Sequence, residues 1–217
     1  MEQSEDAPAA TGLRERKKVE TRRTIRRVAL DLALELGVEN LTVEAIAHAA
    51  DVSPRTFFNY FSRKEDALLT DAAAAALALH PDIVARPADE SPLHAIRAVI
   101  TENDPFSVMN ADRDRALARQ KLVQQHPALV ARQLGQYSLL ERTFAEAIAE
   151  RLGVDPDDSL RPVLIASVAG AAMRVAVERW TAGDAASLRD LLLTAFDMLE
   201  QGLLSDTPGA ASPAADE

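Results

Sequence analysis

The chain contains no cysteine, which removes disulfides, thiolate zinc sites and cysteine nucleophiles together. Aromatic residues make up only 4% of it, and nowhere do β-branched or aromatic residues alternate with polar ones as a half-buried strand requires. A β-rich fold is thereby excluded. Histidines are few and scattered, and His48, His80, His94 and His126 show no i, i+4 metal spacing. No nucleophile elbow, phosphate loop or dinucleotide fingerprint occurs. Hence no catalytic residues, no metal and no cofactor are expected, and the protein is read as a non-enzyme. The amino-terminal residues lack the apolar stretch of a signal peptide, and no apolar run is read as approaching the ~20 residues of a membrane span. A cytoplasmic location without a membrane partner is expected.

Ala, Leu, Arg and Glu dominate instead, all strong helix formers. With 47% apolar residues a sizeable core is available, and the expected fold is all-α with about nine helices. The first is expected from Leu13 to Leu36, where Ile25, Val28, Ala29, Leu32, Ala33 and Leu36 make one buried stripe and Gly37 a stop. Thr42 caps a second helix carrying Val43, Ile46, Ala47 and Ala50. Asp51 and Val52 form a tight link, and Ser53 with Pro54 opens a third. Ser62 to Glu65 reads as a capping box for a fourth helix that continues to about His80, where Pro81 ends it. A connector follows to Ser91. Further helices are expected from Leu93 to Glu102, Ala111 to Gln125, Pro127 to Leu152, Ser159 to Thr181 and Asp184 to Leu204. Residues 1–12 and 205–217, rich in small and acidic residues, are expected to be disordered tails.

The net charge of −10 argues against a phosphate-seeking surface until its distribution is read. From Leu13 to Arg27 stand Arg14, Arg16, Lys17, Lys18, Arg22, Arg23, Arg26 and Arg27 against only Glu15 and Glu20. Salt screens exposed charges beyond about 8–10 Å, so this segment acts locally despite the acidic remainder. A solvated helix face is the plain alternative for the segment taken alone.

A short second helix, a tight turn and a short third helix make helix-turn-helix geometry, whose third helix enters the DNA major groove. Phe57 and Phe61, four residues apart, share a face with Val52 and can pack on Ile46 and Leu68. Arg55, Thr56, Asn59 and Tyr60 fall on the other side, where Arg can grip guanine, Asn adenine, and Thr or Tyr a phosphate. Residues from about Arg22 to Leu69 resemble the DNA-binding domain of the tetracycline-repressor (TetR) family. The matching stretches are IRRVALDLALELG (Ile25 to Gly37), LTVEAIA (Leu41 to Ala47), ADVSPRTFFNYF (Ala50 to Phe61) and KEDALL (Lys64 to Leu69). The resemblance implies phosphate contacts from Thr42, Lys64 and Tyr60 and groove reading by Arg55, Thr56 and Asn59. Phe58 also joins the DNA-binding set, but it departs from the family, where many members carry tyrosine, and forfeits any phosphate hydrogen bond. The basic arm from Arg14 to Arg23 is a candidate for an adjacent groove or backbone.

Residues 13–66 are thus expected to form the DNA-binding domain and residues 67–204 a ligand-binding and dimerisation domain. In the family the last two long helices pair with those of a second subunit. Here Val163, Ala166, Ala169, Gly170, Met173 and Val177 form one stripe suited to that role, and Leu188, Leu191, Leu192, Ala195, Phe196, Leu199 and Leu203 another, with ordinary intramolecular core holding for some of them. Phe106, Met109, Arg119, Leu122, Tyr137, Arg142, Met173 and Trp180 are candidates for a small-molecule site, each with plain core or solvent-facing surface as its alternative reading, and Arg119 and Arg142, if buried, would grip an acidic ligand. The expected partners are double-stranded operator DNA, a small-molecule effector and a second copy of the chain. The expected function is a DNA-binding transcriptional regulator, a repressor released from a palindromic operator by its ligand, with the fourth helix as the lever between the two domains. Two alternatives stand beside it: a helical interaction or ligand-binding protein with a vestigial DNA-binding domain, and a helical-bundle enzyme.

Overall fold

The computed structural model describes residues 7–155, 158–183 and 187–202, the side chains of 7–15, 108 and 110 excepted. Among them all regular structure is α-helical: α1 (Ala7–Leu36), α2 (Val43–Ala49), α3 (Pro54–Phe58), α4 (Lys64–Leu68), α5 (Ala72–Ala85), α6 (Pro92–Asn103), α7 (Ser107–Ala111), α8 (Arg113–Gln125), α9 (Pro127–Leu152), α10 (Leu160–Ala182) and α11 (Leu188–Gln201). The all-α class is as read from composition. Of the expected disordered tails, 1–12 and 205–217, residues 1–6 and 205–217 lie outside the described residues, as do Leu203 and the expected start of the last helix at Asp184, whereas residues 7–12 are helical instead. Helix α1 begins at Ala7, earlier than Leu13, and Pro8 is tolerated there because it falls in a first turn where its missing N–H is not needed.

The chain divides into two compact units. The first comprises the amino-terminal residues to Asp71 together with Asp114–Gly135, and the second comprises Ala72–Arg113 and the residues from Gln136 on. The first unit is built round one core in which Ile25, Val28, Ala29, Leu30, Ala33, Ile46, Phe57, Phe61, Leu68 and Leu69 are joined by Leu122, Val123 and Leu129 of α8 and α9. Local chemistry sets its short helices. Gly37 takes φ +81° and its N–H returns to the Ala33 carbonyl at 3.0 Å, closing α1. Thr42 Oγ1 accepts from the Ala45 amide at 3.1 Å, and Ser53 Oγ from the Thr56 amide at 3.0 Å. Between these two helices Asp51 sits at φ +53°, a conformation that short polar side chains tolerate better than other non-glycine residues.

Two expectations about the fourth helix are corrected. It is not continuous: α4 ends at Leu68, and α5 starts at Ala72. Leu68 and Leu69 are both buried, at 0% and 1% exposure. A straight helix would turn consecutive side chains about 100° apart. Instead the backbone goes extended at Leu69 (φ −92°, ψ 159°). Nor does Pro81 end the second piece, since α5 runs through it to Ala85. The carbonyl deprived of its partner is that of Leu77, a residue 67% exposed, where water can replace the lost donor. The start of α4 is also shifted: Asp66, not Glu65, closes it, accepting from the Arg63 amide at 3.1 Å and the Ser62 hydroxyl at 2.6 Å.

In the second unit α6, α10 and α11 pack on one another, burying Ile96, Val99, Ala166, Ala169, Met173, Trp180, Leu188, Leu192 and Phe196. This corrects the assignment of a stripe to the subunit partner. Ala166, Ala169, Gly170, Met173, Leu188, Leu192 and Phe196 are covered by their own chain. The apolar side chains left open are Leu160 (77%), Val163, Leu164 (55%) and Val175 (52%) on α10 and Met198 on α11. With apolar residues on both faces, α10 contains an 18-residue window of mean hydropathy 1.6 and is long enough to cross a membrane by length and composition, though charged residues interrupt it and no uncharged run approaches 20 residues. A further staple in this unit is Arg151, whose guanidinium donates to the carbonyls of Ile83, Arg86, Pro87 and Glu90 at 2.6–3.3 Å and so orders the chain after α5.

Candidate nucleic-acid interface

The third helix is held from below by aromatics. Phe57 is fully buried and Phe61 3% exposed, with ring centroids 5.5 Å apart. Over Phe61 lie the guanidinium groups of Arg22 and Arg26, 5.1 and 5.3 Å from its centroid. Both arginines also bond the Asp71 carboxylate, at 2.5 and 3.1 Å. Burial pulls the Arg26 guanidinium down to about 10, against the opposing pull of Asp71. Arg22 and Arg26 thus clamp α1 and the residues after α4 onto the recognition helix. Arg22 therefore leaves the basic arm expected to reach DNA, whereas Arg16, Lys17 and Arg23 are exposed.

With Phe57 and Phe61 turned inward, Arg55, Phe58 and Asn59 are exposed, while Thr56 and Tyr60 are half-buried. Thr56 Oγ1 shares a 2.8 Å hydrogen bond with Ser53 Oγ, and Tyr60 leans on the core. Thr42 is exposed and keeps its hydroxyl proton for a partner, because its oxygen only accepts within the helix cap. Lys64 is placed differently from a solvent-facing phosphate contact. Its ammonium donates to the carbonyls of Val38 and Leu41 at 3.1 and 2.8 Å, tying α4 to the turn after α1. An ammonium has three donors, so one remains.

Behind this surface α8 and the start of α9 are attached by charge. Arg115 bonds the Asp31 carboxylate at 2.7 Å, and Arg132 bonds Asp66 at 2.5 and 3.0 Å. Burial pushes the Asp66 carboxyl up. Hydrogen bonds from Ser62 and Arg132, the Arg132 charge and the Arg63 amide more than offset this, leaving it below the ordinary carboxylate range. A group depressed in the folded state stabilises fully above its unfolded pKa of about 4, and loses that contribution as pH falls through the folded value. Urea unfolding of wild type and Asp66→Asn should therefore differ at neutral pH and converge below about pH 4; a constant gap across that range would remove the ionised Asp66 as its cause.

The residues expected to line a ligand site fall in both units. Arg119 and Leu122 belong to the first unit, and Phe106, Met109, Tyr137, Arg142, Met173 and Trp180 to the second. Arg142 is a surface side chain, 78% exposed and paired with Glu146 one turn on, so the expectation of two buried arginines gripping an acid is corrected. Arg119 lies close enough to Arg26 to lower its pKa. Met173 and Trp180 are buried, and Arg113 stacks 5.0 Å over the Trp180 ring. Tyr137, by contrast, belongs to a polar cluster that the sequence did not reveal. Arg174 stands 5.7 Å over its ring and 3.6 Å from Glu141, whose other oxygen accepts from Ser167 at 3.2 Å. In this rotamer the Glu141 side chain lies over Gly170, where a Cβ would come within 2.8 Å of it and the glutamate would have to shift. A groove of about 390 Å³ lies elsewhere in that unit, lined by Asp82, Ala85, Arg86, Pro87, Val99, Glu102 and Asn103.

A short capped helix, pinned by Phe57 within it and Phe61 just after it and presenting Arg55 and its C-cap Asn59 to solvent, defines a helix-turn-helix DNA-binding module. The family model for bacterial regulatory proteins of the tetR family matches residues 25–71, and that for the MftR C-terminal domain matches residues 90–204. The chain is 38% identical over 212 residues to the HTH-type transcriptional regulator TcmR of Streptomyces glaucescens, covering 94% of each. Among solved structures it resembles Thermus thermophilus FadR, a TetR-family transcriptional repressor in complex with lauroyl-CoA (TM-score 0.51, 22% identity, 89% of this chain and 100% of that one). It also resembles the fatty acid degradation regulator FadR of Bacillus halodurans (0.51, 19%, 85% and 96%). The chain belongs to the TetR family and is a transcriptional regulator.

Proposed function

We propose that the protein is a cytoplasmic repressor that binds a palindromic operator as a homodimer and is released by a small-molecule effector. The observation carrying the DNA-binding part is the arrangement of α3 and the turn that follows it, with Phe57 and Phe61 buried and Arg55, Phe58 and Asn59 exposed. One such helix reads few bases, and two copies about a DNA turn apart supply an operator's specificity. The open apolar face of α10, where Leu160, Leu164 and Val175 recur at helical spacing, supports self-association through that helix. In this reading Thr42, Lys64 and Tyr60 hold the backbone, and Arg55, Thr56 and Asn59 read the groove. The effector's polar contacts fall to Tyr137, Glu141 and Arg174, the one polar cluster described between α9 and α10; the lauroyl-CoA of the Thermus protein supports ligand control in general, not an acyl ligand here.

Footprinting of the DNA upstream of the protein's own gene, at two salt concentrations, tests the reading. A protected palindrome with steep salt dependence is expected, since each neutralised phosphate releases counterions. Asn59→Ala and Tyr60→Ala should each weaken binding about tenfold or more with folding intact. A folded dimer that protects nothing here, and selects nothing from random duplexes, would instead be a ligand-binding protein with a vestigial DNA-binding domain.

A further inference from the structure

The recognition helix exposes one side chain that hydrogen bonding cannot explain. Phe58 is 56% exposed on a surface otherwise made of Arg55, Thr56, Asn59 and Tyr60. Its ring is not loose, for it stands edge-on to the buried Phe57 ring, 5.6 Å between centroids at 90°. The remaining ring surface meets water. Phenylalanine has no donor or acceptor, so it cannot hold a phosphate. Arg55, Phe58 and Asn59 stand at i, i+3 and i+4 and share one helix face. Whatever Arg55 and Asn59 approach, Phe58 approaches also.

In the major groove the base edges present mostly polar donors and acceptors. The one bulky apolar group among them is the C5 methyl of thymine, against the bare C5–H of cytosine, and apolar side chains contact it. From this we infer that Phe58 reads a thymine methyl, so that each half-site carries a thymine whose value lies in that methyl group, beside the bases addressed by Arg55 and Asn59. The inference rests on the DNA-reading assignment above and adds the kind of base feature that one residue recognises.

Deoxyuridine differs from thymidine only in lacking that methyl, which makes the test direct. Duplexes are selected from a random library with the full-length protein, and the selected site is resynthesised with deoxyuridine at one thymine position at a time, in both half-sites. Wild-type protein is expected to lose about fourfold per half-site at one position, the worth of burying a single methyl, and to be indifferent at the others. Phe58→Ala, checked for unchanged thermal unfolding, should bind more weakly and show no loss at that position. Two results overturn the inference: wild-type binding unaffected by deoxyuridine everywhere, or Phe58→Ala losing as much as wild type at the sensitive position. Failure to select any duplex overturns the DNA-reading assignment itself, and the inference with it.

Discussion

Leu164→Glu is expected to convert the protein from a dimer to a 23.5 kDa monomer and to weaken operator binding by a factor on the order of 10³. Leu164 is 55% exposed on α10 and shares a face with Leu160 and Val175. A carboxylate there takes nothing from the chain's own core but would be desolvated if that face met its copy, at a cost of several kcal/mol. Light scattering behind size exclusion reads the oligomeric state, and circular dichroism checks that helix content is kept. Leu77→Glu provides the control. Leu77 is 67% exposed, but on α5, and its variant should remain dimeric. A Leu164→Glu protein that stays a dimer would place the subunit contact on another surface.

The second large effect concerns Phe61. Replacing it with alanine should destabilise the first unit by roughly 3–5 kcal/mol, the usual cost of removing a buried phenylalanine. Three interactions converge on that ring: the packing of Phe57 at 5.5 Å and the guanidinium groups of Arg22 and Arg26. The cavity would leave both arginines without a face to stack on while still bonded to Asp71. Urea unfolding should show the loss, and DNA binding should fail with the fold. Phe58→Ala, three residues away but exposed, should change stability by no more than about 0.5 kcal/mol. A folded Phe61→Ala protein with full stability would mean that the third helix turns a different face to the core.

The contrast between Phe61 and Phe58 originates in helical periodicity. Phe57 and Phe61 are four apart and in step with Val52, so spacing alone turns them inward and Arg55, Phe58 and Asn59 outward. Thr42, Ser53 and Pro54 announce their helix starts by side-chain chemistry acting over three residues. Lys64 is legible in the sequence as a residue at a helix start, but not its bonds to the carbonyls of Val38 and Leu41, more than twenty residues earlier in the chain. Likewise Arg22 reads as part of a basic arm. Its partner Asp71 lies about fifty residues on, and no local pattern links them.

Interactions between neighbours within a turn or two are written into the order of residues, and they account for the helical class, the caps, the helix-turn-helix and the face its recognition helix exposes. Which side of α10 faces its own core is settled by packing instead, because that helix is apolar on both sides and periodicity then has no direction to prefer. Packing also broke the helix after Leu68, where burying two consecutive leucines outweighed continuous hydrogen bonding, and it placed Glu141 against Gly170, Ser167 and Arg174. Contacts of that kind join residues far apart in sequence, and only the docking of whole helices brings them within reach.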